Sequence, residues 1–181
     1  MKIAIGSDER TEMTDAIVAE LRRRGHGVWA AGPLAGPLVD SPPDLSGGAG
    51  DVSTPAADAP TPPIRPDHLW PSVARTVAEA VAGGAADEGL LLCWTGTGVS
   101  MAANKVPGIR AALCADAATA RGARLWNNAN VLCLSLRLTT AAVATEILDA
   151  WFDTSFIPND NDNACLALLE AMETNKLGIT N

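Results

Sequence analysis

Short runs of Val, Ile and Leu alternate along the chain with stretches whose apolar residues recur every three or four positions. Such alternation is expected of a parallel sheet covered by helices on both faces, whose buried strands are apolar throughout. The apolar runs predict strands at 2–5, 27–31, 89–92, 109–114 and 129–134. Helices are predicted over 11–24, 72–82, 101–105, 117–125 and 141–152, with Gly25 and the Gly83-Gly84 pair stopping the first two. The order βαβαβαβαβα implies an α/β fold, a doubly wound Rossmann-like three-layer sandwich on a five-stranded parallel sheet. A last helical segment, 164–175, has no sheet left to cover, so docking on a second subunit is its expected use.

Residues 34–66 break the pattern, being rich in Pro, Gly, Ala, Ser and Asp with neither period. They read as an irregular, disordered surface insertion within a single domain spanning 1–181. A chain of 181 residues that is 48% hydrophobic can bury one substantial core and is not globally disordered. Its net charge of −8 repels polyanions, which argues against nucleic acid and anionic membrane surfaces and leaves small molecules and protein subunits as partners. MKIAIGSDER lacks the apolar length of a secretory signal, and no stretch is long enough to span a bilayer, so the cytoplasm is expected. Cys93, Cys114, Cys133 and Cys165 are too widely spaced for a zinc pair or a disulfide framework.

Ligands of open parallel sheets bind beyond the carboxyl ends of the strands. The segments searched there are Ser7-Asp8-Glu9-Arg10, Cys93 to Ser100, Trp126 to Asn130, and Arg137. The second is the most informative. A strand delivering Cys93 into Thr95-Gly96-Thr97-Gly98 sets a thiol beside exposed backbone N–H groups, which favour a thiolate able to act as a base. The same donors suit the oxyanion that forms when a proton leaves carbon beside a carbonyl.

The stretch GLLLCWTGTGVSMAANKVPGIRAALC resembles the signature segment of the type B ribose-5-phosphate isomerase and galactose-6-phosphate isomerase family. MKIAIGSD is similar to that family's start, VAEAVAGGAADEG to its second helix, and NNANVLCLSLR to the segment around its fifth strand. The resemblance implies a dimer, or dimer of dimers, with active sites shared between subunits. It also implies aldose–ketose isomerisation of a sugar phosphate through an enediolate, with no metal or organic cofactor. By the resemblance Cys93 is the proton-transferring residue, and the loop of Thr95, Gly96, Thr97, Gly98, Val99 and Ser100 holds the anion. Asp8 contacts sugar oxygens, Asn127 is a polar substrate contact and Arg137 binds phosphate.

Departures from the pattern gather on the ligand side. Glu9 and Trp126 stand where the family has histidines, the second assigned to opening the sugar ring, and indole cannot exchange protons near neutral pH. Trp70 replaces a Tyr and Trp94 a Gly, while Asp160 and Asp162 lie in the segment where the family carries arginines. Arg137, aided by Arg10, is then a weaker phosphate site, and Trp70, Trp94 and Trp126 make the pocket more apolar. The expectation is an isomerase with an altered sugar-derived substrate. Its rivals are a weak subunit completed by a paralogue, and a family member repurposed for other carbanion chemistry.

Structural roles compete at several of these positions. Cys93 could be plain core, as Cys114 and Cys133 are expected to be. Asp8 and Thr11 compete to cap the first helix, Glu9 and Arg10 form a solvated pair, Asn127 shapes a turn, and Arg137 suits an interface ion pair.

Overall fold

A computed structural model describes residues 1–35 and 64–173. Most of the expected insertion, and the last two residues of the segment 164–175, lie outside the described residues. Five strands, β1 (Lys2–Ser7), β2 (Gly27–Ala31), β3 (Glu88–Cys93), β4 (Ala111–Leu113) and β5 (Val131–Ser135), form a parallel sheet in the order β2-β1-β3-β5-β4. The helices among the described residues are α1 (Glu12–Arg23), α2 (Trp70–Ala82), α3 (Thr97–Ala103), α4 (Ala117–Asn127), α5 (Ala141–Phe152) and α6 (Asp160–Glu173). This is the doubly wound arrangement that the alternating pattern predicts. None of these helices is long and apolar enough to cross a membrane.

Successive strand residues point to opposite faces, so the sheet divides the core in two. Ile3, Ile5, Leu90, Leu92, Leu132 and Leu134 pack with α1, α4 and α5. Ala4, Leu91, Cys93, Val131 and Cys133 pack with α2 and α3. Cys93 is therefore committed to the α2–α3 face. On that face a Cβ at Gly6 would sit 2.6 Å from Val73 Cγ1, and one at Gly89 would sit 3.0 Å from Val77 Cγ1. Only bare glycine backbone lets α2 lie this close to β1 and β3, and that approach carries Trp70, at the start of α2, over the end of the sheet.

Several boundaries differ from those expected. The helix after the Gly-rich turn starts at Thr97 and ends at Ala103, against an expected 101–105. Gly96, at φ 75°, reverses the chain at once, and Ser100 N–H already donates to its carbonyl at 3.2 Å. Strand β4 is shorter than 109–114, although backbone bonds to the β5 segment continue beyond both its ends, from Asn130 N–H to Arg110 C=O (3.1 Å) and from Cys114 N–H to Cys133 C=O (3.0 Å), and two asparagine side chains brace this edge. Asn104 binds both the N–H and the C=O of Ala111 (2.9 and 2.8 Å), and Asn130 does the same for Arg110 N–H and Gly108 C=O (2.8 and 2.9 Å). Helix α6 begins at Asp160 because the Asn159 side chain accepts from Asp162 N–H at 2.9 Å, an N-cap that the acidic Asp160 and Asp162 reinforce. Leu34, read as the first residue of the insertion, is 5% exposed and belongs to the core.

Candidate active site

The order β2-β1-β3 means that the chain leaves β1 toward one side of the sheet and returns on the other. Such a switch point opens a crevice at the carboxyl ends of the two strands. Ser7 pairs with Leu92 there, so Asp8 and Cys93 emerge side by side. On the other flank Cys93 pairs with Ser135, which brings the connection after β5 to the same level.

Cys93 is 6% exposed, and its sulfur accepts the Gly96 N–H at 3.2 Å. The main-chain amides of Thr97, Gly98 and Val99 open helix α3 and have no carbonyl partner within it. The Val99 side chain lies in the core, so its contribution to a ligand would come through the main chain. Thr95 and Thr97 hydroxyls share a 2.6 Å hydrogen bond at the rim, and Ser100 is half-buried on the following turn. Trp94 is exposed beside the thiol. The Trp70 indole lies flat enough on Gly98 that a Cβ there would meet ring carbons at 3.1 Å.

From β1, the Asp8 Oδ1 atom is buried and makes no hydrogen bond among the described residues. Burial lifts the Asp8 carboxyl above its ordinary value; its own backbone N–H draws it down in part, and the neighbouring Glu9 carboxylate adds to the rise. Glu9 is exposed, and Arg10 reaches along α1 to Asp15 at 3.0 Å rather than to Glu9. Thr11, not Asp8, caps α1, through a reciprocal pair with Thr14. Asp8 is thus released from the capping role that competed for it.

The connection after β5 is tied directly to the thiol's turn. Leu136 N–H donates to Cys93 C=O and Arg137 N–H to Trp94 C=O, both at 3.0 Å. The Arg137 side chain is exposed and forms no ion pair among the described residues. Ser135, a residue the sequence reading did not single out, donates from Oγ to Trp94 C=O at 2.9 Å. Its only signal in the sequence is that it is the single polar residue closing the run Val131–Ser135.

Trp126 and Asn127 are not brought to this crevice. They were sought in a loop at the carboxyl ends, but they form the last turn of α4, which the left-handed Asn128 (φ 45°) terminates. That turn leads into the amino end of β5, and Val131 is level with Gly89. Four residues of strand, roughly 13 Å, therefore separate that level from Cys93. Both residues instead line a cleft of about 860 Å³ between β4, α4 and the apolar side of α6, with Leu113, Leu166 and Leu169.

Beneath the cleft, Arg124 fixes the end of α4. Its guanidinium meets the buried Glu88 carboxylate at 2.7 Å and also donates to Ala129 C=O (2.6 Å) and Thr154 C=O (3.2 Å). Trp151 Nε1–H donates to the other Glu88 oxygen at 2.6 Å. Burial pushes the Cys114 thiol up to about 12 and the Cys133 thiol higher still, so both remain protonated packing residues. No grouping of His, Cys, Asp and Glu among the described residues is arranged to hold a metal ion.

Comparison with known proteins agrees with this geometry. Residues 61–166 match the family described as Ribose/Galactose Isomerase. The chain is 45% identical over 94 residues to D-erythrulose-4-phosphate isomerase of Pectobacterium atrosepticum, covering 52% of this chain and 62% of that protein. It is 40% identical over 108 residues to galactose-6-phosphate isomerase subunit LacB of Clostridium acetobutylicum, covering 59% and 62%. The match thus spans about six tenths of the length of these curated relatives. The solved structure of Clostridium thermocellum ribose-5-phosphate isomerase B superposes with a TM-score of 0.73 at 31% identity, covering 97% of this chain and 99% of that one. With its signature turn, its strand order and these matches in agreement, the chain belongs to the ribose/galactose isomerase family.

Proposed function

We propose that the chain is an aldose–ketose isomerase acting on a sugar phosphate or a sugar-derived relative, moving one proton between adjacent carbons through an enediolate. The observation that carries this reading is the Cys93 sulfur facing the Gly96 amide, with the bare Asp8 oxygen beside it across the switch point. As a thiolate, Cys93 removes the proton from the hydroxyl-bearing carbon next to the carbonyl and returns it to the former carbonyl carbon, while the hydroxyl proton passes to the former carbonyl oxygen, so that carbonyl and hydroxyl exchange places. The carbonyl oxygen gains negative charge as the proton leaves, and the amides opening α3 hold that charge without having to reorganise. Asp8 accepts hydrogen bonds from the sugar hydroxyls. Arg137, exposed on the loop tied to Trp94, takes an anionic substituent, and Trp70 and Trp94 wall the site with apolar surface.

Asn127 then comes from a second copy of the chain. It lies at the wrong end of the sheet to reach its own Cys93, while Trp126 beside it is 59% exposed. The same face of the molecule exposes Leu168, Leu169 and Met172 on α6, apolar surface that a homodimer would cover. The assembled enzyme works in the cytoplasm on a small molecule and needs no cofactor.

The test is proton NMR of the purified chain in D₂O with pentose, tetrose and hexose phosphates and their unphosphorylated forms. Deuterium appearing next to the carbonyl, together with aldose–ketose interconversion, is the expected result; neither appearing with any sugar ends the reading. Trp126 favours one alternative. An indole cannot shuttle the proton that opens a sugar ring, so a paralogous subunit could supply that group. Under that alternative the pure homomer turns over open-chain sugars only, and added paralogue restores turnover of cyclic ones.

A further inference from the structure

Ser135 is a polar side chain, 6% exposed, at the end of an otherwise apolar central strand. A buried hydroxyl in such a place is held by its hydrogen bonds, and both of its bonds here go to main chain. Oγ donates to Trp94 C=O at 2.9 Å and accepts Leu138 N–H at 3.3 Å. The carbonyl it holds is the one that accepts Arg137 N–H at 3.0 Å, so its two lone pairs are shared between Ser135 and Arg137. One peptide upstream, Cys93 C=O accepts from both Leu136 and Gly96. The hydroxyl therefore adds a side-chain clamp to the two main-chain bonds that join the turn carrying the thiol to the loop carrying the exposed Arg137 guanidinium, pinning Leu138 behind Arg137 and Trp94 behind Cys93.

We propose that Ser135 is a positioning residue, whose hydroxyl holds the Arg137 loop in register with the Cys93 turn so that one ligand meets both groups. It touches neither the ligand nor the reacting atoms and acts through Trp94 and Arg137. The proposal rests on the isomerase reading for its meaning, but its test does not require turnover. Removing the hydroxyl leaves Trp94 C=O still bonded to Arg137 and frees only the Leu138 N–H, on a residue 67% exposed to water, so no buried group is stranded and the fold tolerates the change.

The experiment measures alkylation of Cys93 by iodoacetamide in the full-length protein, resolved by peptide mass spectrometry, over a series of inorganic phosphate concentrations. Phosphate held at Arg137 shields the thiol in the wild type. In Ser135→Ala the phosphate concentration giving half protection rises about tenfold, the equivalent of one lost hydrogen bond. Ser135→Thr, which restores the hydroxyl, returns it to within about twofold, and the melting temperature of Ser135→Ala stays within about 2 °C of the wild type. Equal protection in Ser135→Ala and wild type overturns the proposal. So does a loss of protection that tracks a large fall in melting temperature and is not rescued by threonine, because that pattern marks a structural role. A wild type that phosphate leaves unprotected overturns it as well. Protection that depends on Ser135 in a protein that isomerises no sugar upholds the positioning role while ending the isomerase reading.

Discussion

Asp8 and Cys93 leave neighbouring parallel strands at the same level, because Ser7 pairs with Leu92 one position earlier. Residues 85 apart in the chain are thereby fixed beside each other by backbone ladder bonds alone. The proposed base and the proposed sugar contact both inherit the rigidity of the sheet, and the predictions below follow from that placement and from the groups around it.

Cys93→Ala removes the proposed base from a position where a small side chain still fits. Solvent deuterium incorporation is expected to fall about 10²- to 10⁴-fold, the usual worth of a general base, with the fold retained. NMR exchange alongside circular dichroism checks this. Full activity in the variant would make Cys93 a core residue and nothing more.

Asp8 costs stability at neutral pH. Its folded value is raised, so the native state holds the proton more tightly than the unfolded state does, and stability falls as pH rises through the folded value. Asp8→Asn is therefore expected to melt higher than the wild type near pH 7. The gain should shrink on acidification and vanish below the ordinary carboxyl value of 3.8, where both states are protonated. Thermal scans of both proteins from pH 3 to 8, with the activity of each, test the sign.

Gly96→Ala is expected to damage both fold and site. The residue sits at φ 75°, and a Cβ would meet Leu113 Cδ1 at 2.5 Å and Leu134 C=O oxygen at 2.9 Å. Backbone strain alone costs about 1–3 kcal/mol. Urea denaturation gives the loss directly. A change under about 0.5 kcal/mol would show that the turn is not bound to this geometry.

Glu88→Ala removes the counter-charge of the Arg124 guanidinium, which keeps its bonds to Ala129 and Thr154 C=O, and leaves the Trp151 N–H without its acceptor at the amino end of the sheet. Breaking a buried pair from one side costs about 3–5 kcal/mol, measurable by urea denaturation. Glu88→Gln keeps an acceptor for Trp151 and should lose less.

Cys93→Ala and Asn127→Ala, each inactive alone, are expected to complement when refolded together. Random pairing makes half the dimers mixed, and each mixed dimer has one intact site of two, so activity returns to roughly a quarter of the wild-type level. No recovery would mean that Asn127 does not serve a partner's Cys93.

The linear chain encodes whatever depends on near neighbours. The period-2 and period-3.6 patterns, the Gly-rich turn after Cys93 and the helix stop at Gly25 are local, and they yielded the order of elements, the doubly wound sheet and the thiol-amide turn, whereas the choice between Asp8 and Thr11 as cap of α1 was left to the structure. Contacts made by distant side chains were not legible. Asn104 and Asn130 brace Ala111, Arg110 and Gly108 at the sheet edge only after the chain has folded, and Leu34 counts as core only once the sheet it packs against exists. Ser135 looks like the end of an apolar run until strand register sets it opposite Cys93, and Glu88 looks like a strand edge until Arg124 and Trp151 fold onto it. Asn127 shows the division most plainly. Its place in the chain puts it near β5, but strand direction decides which end of β5, and that end lies a full strand's length from Cys93. Direction and register arise only when separate segments pair, because a run of residues carries its own periodicity but not the identity of the strand beside it.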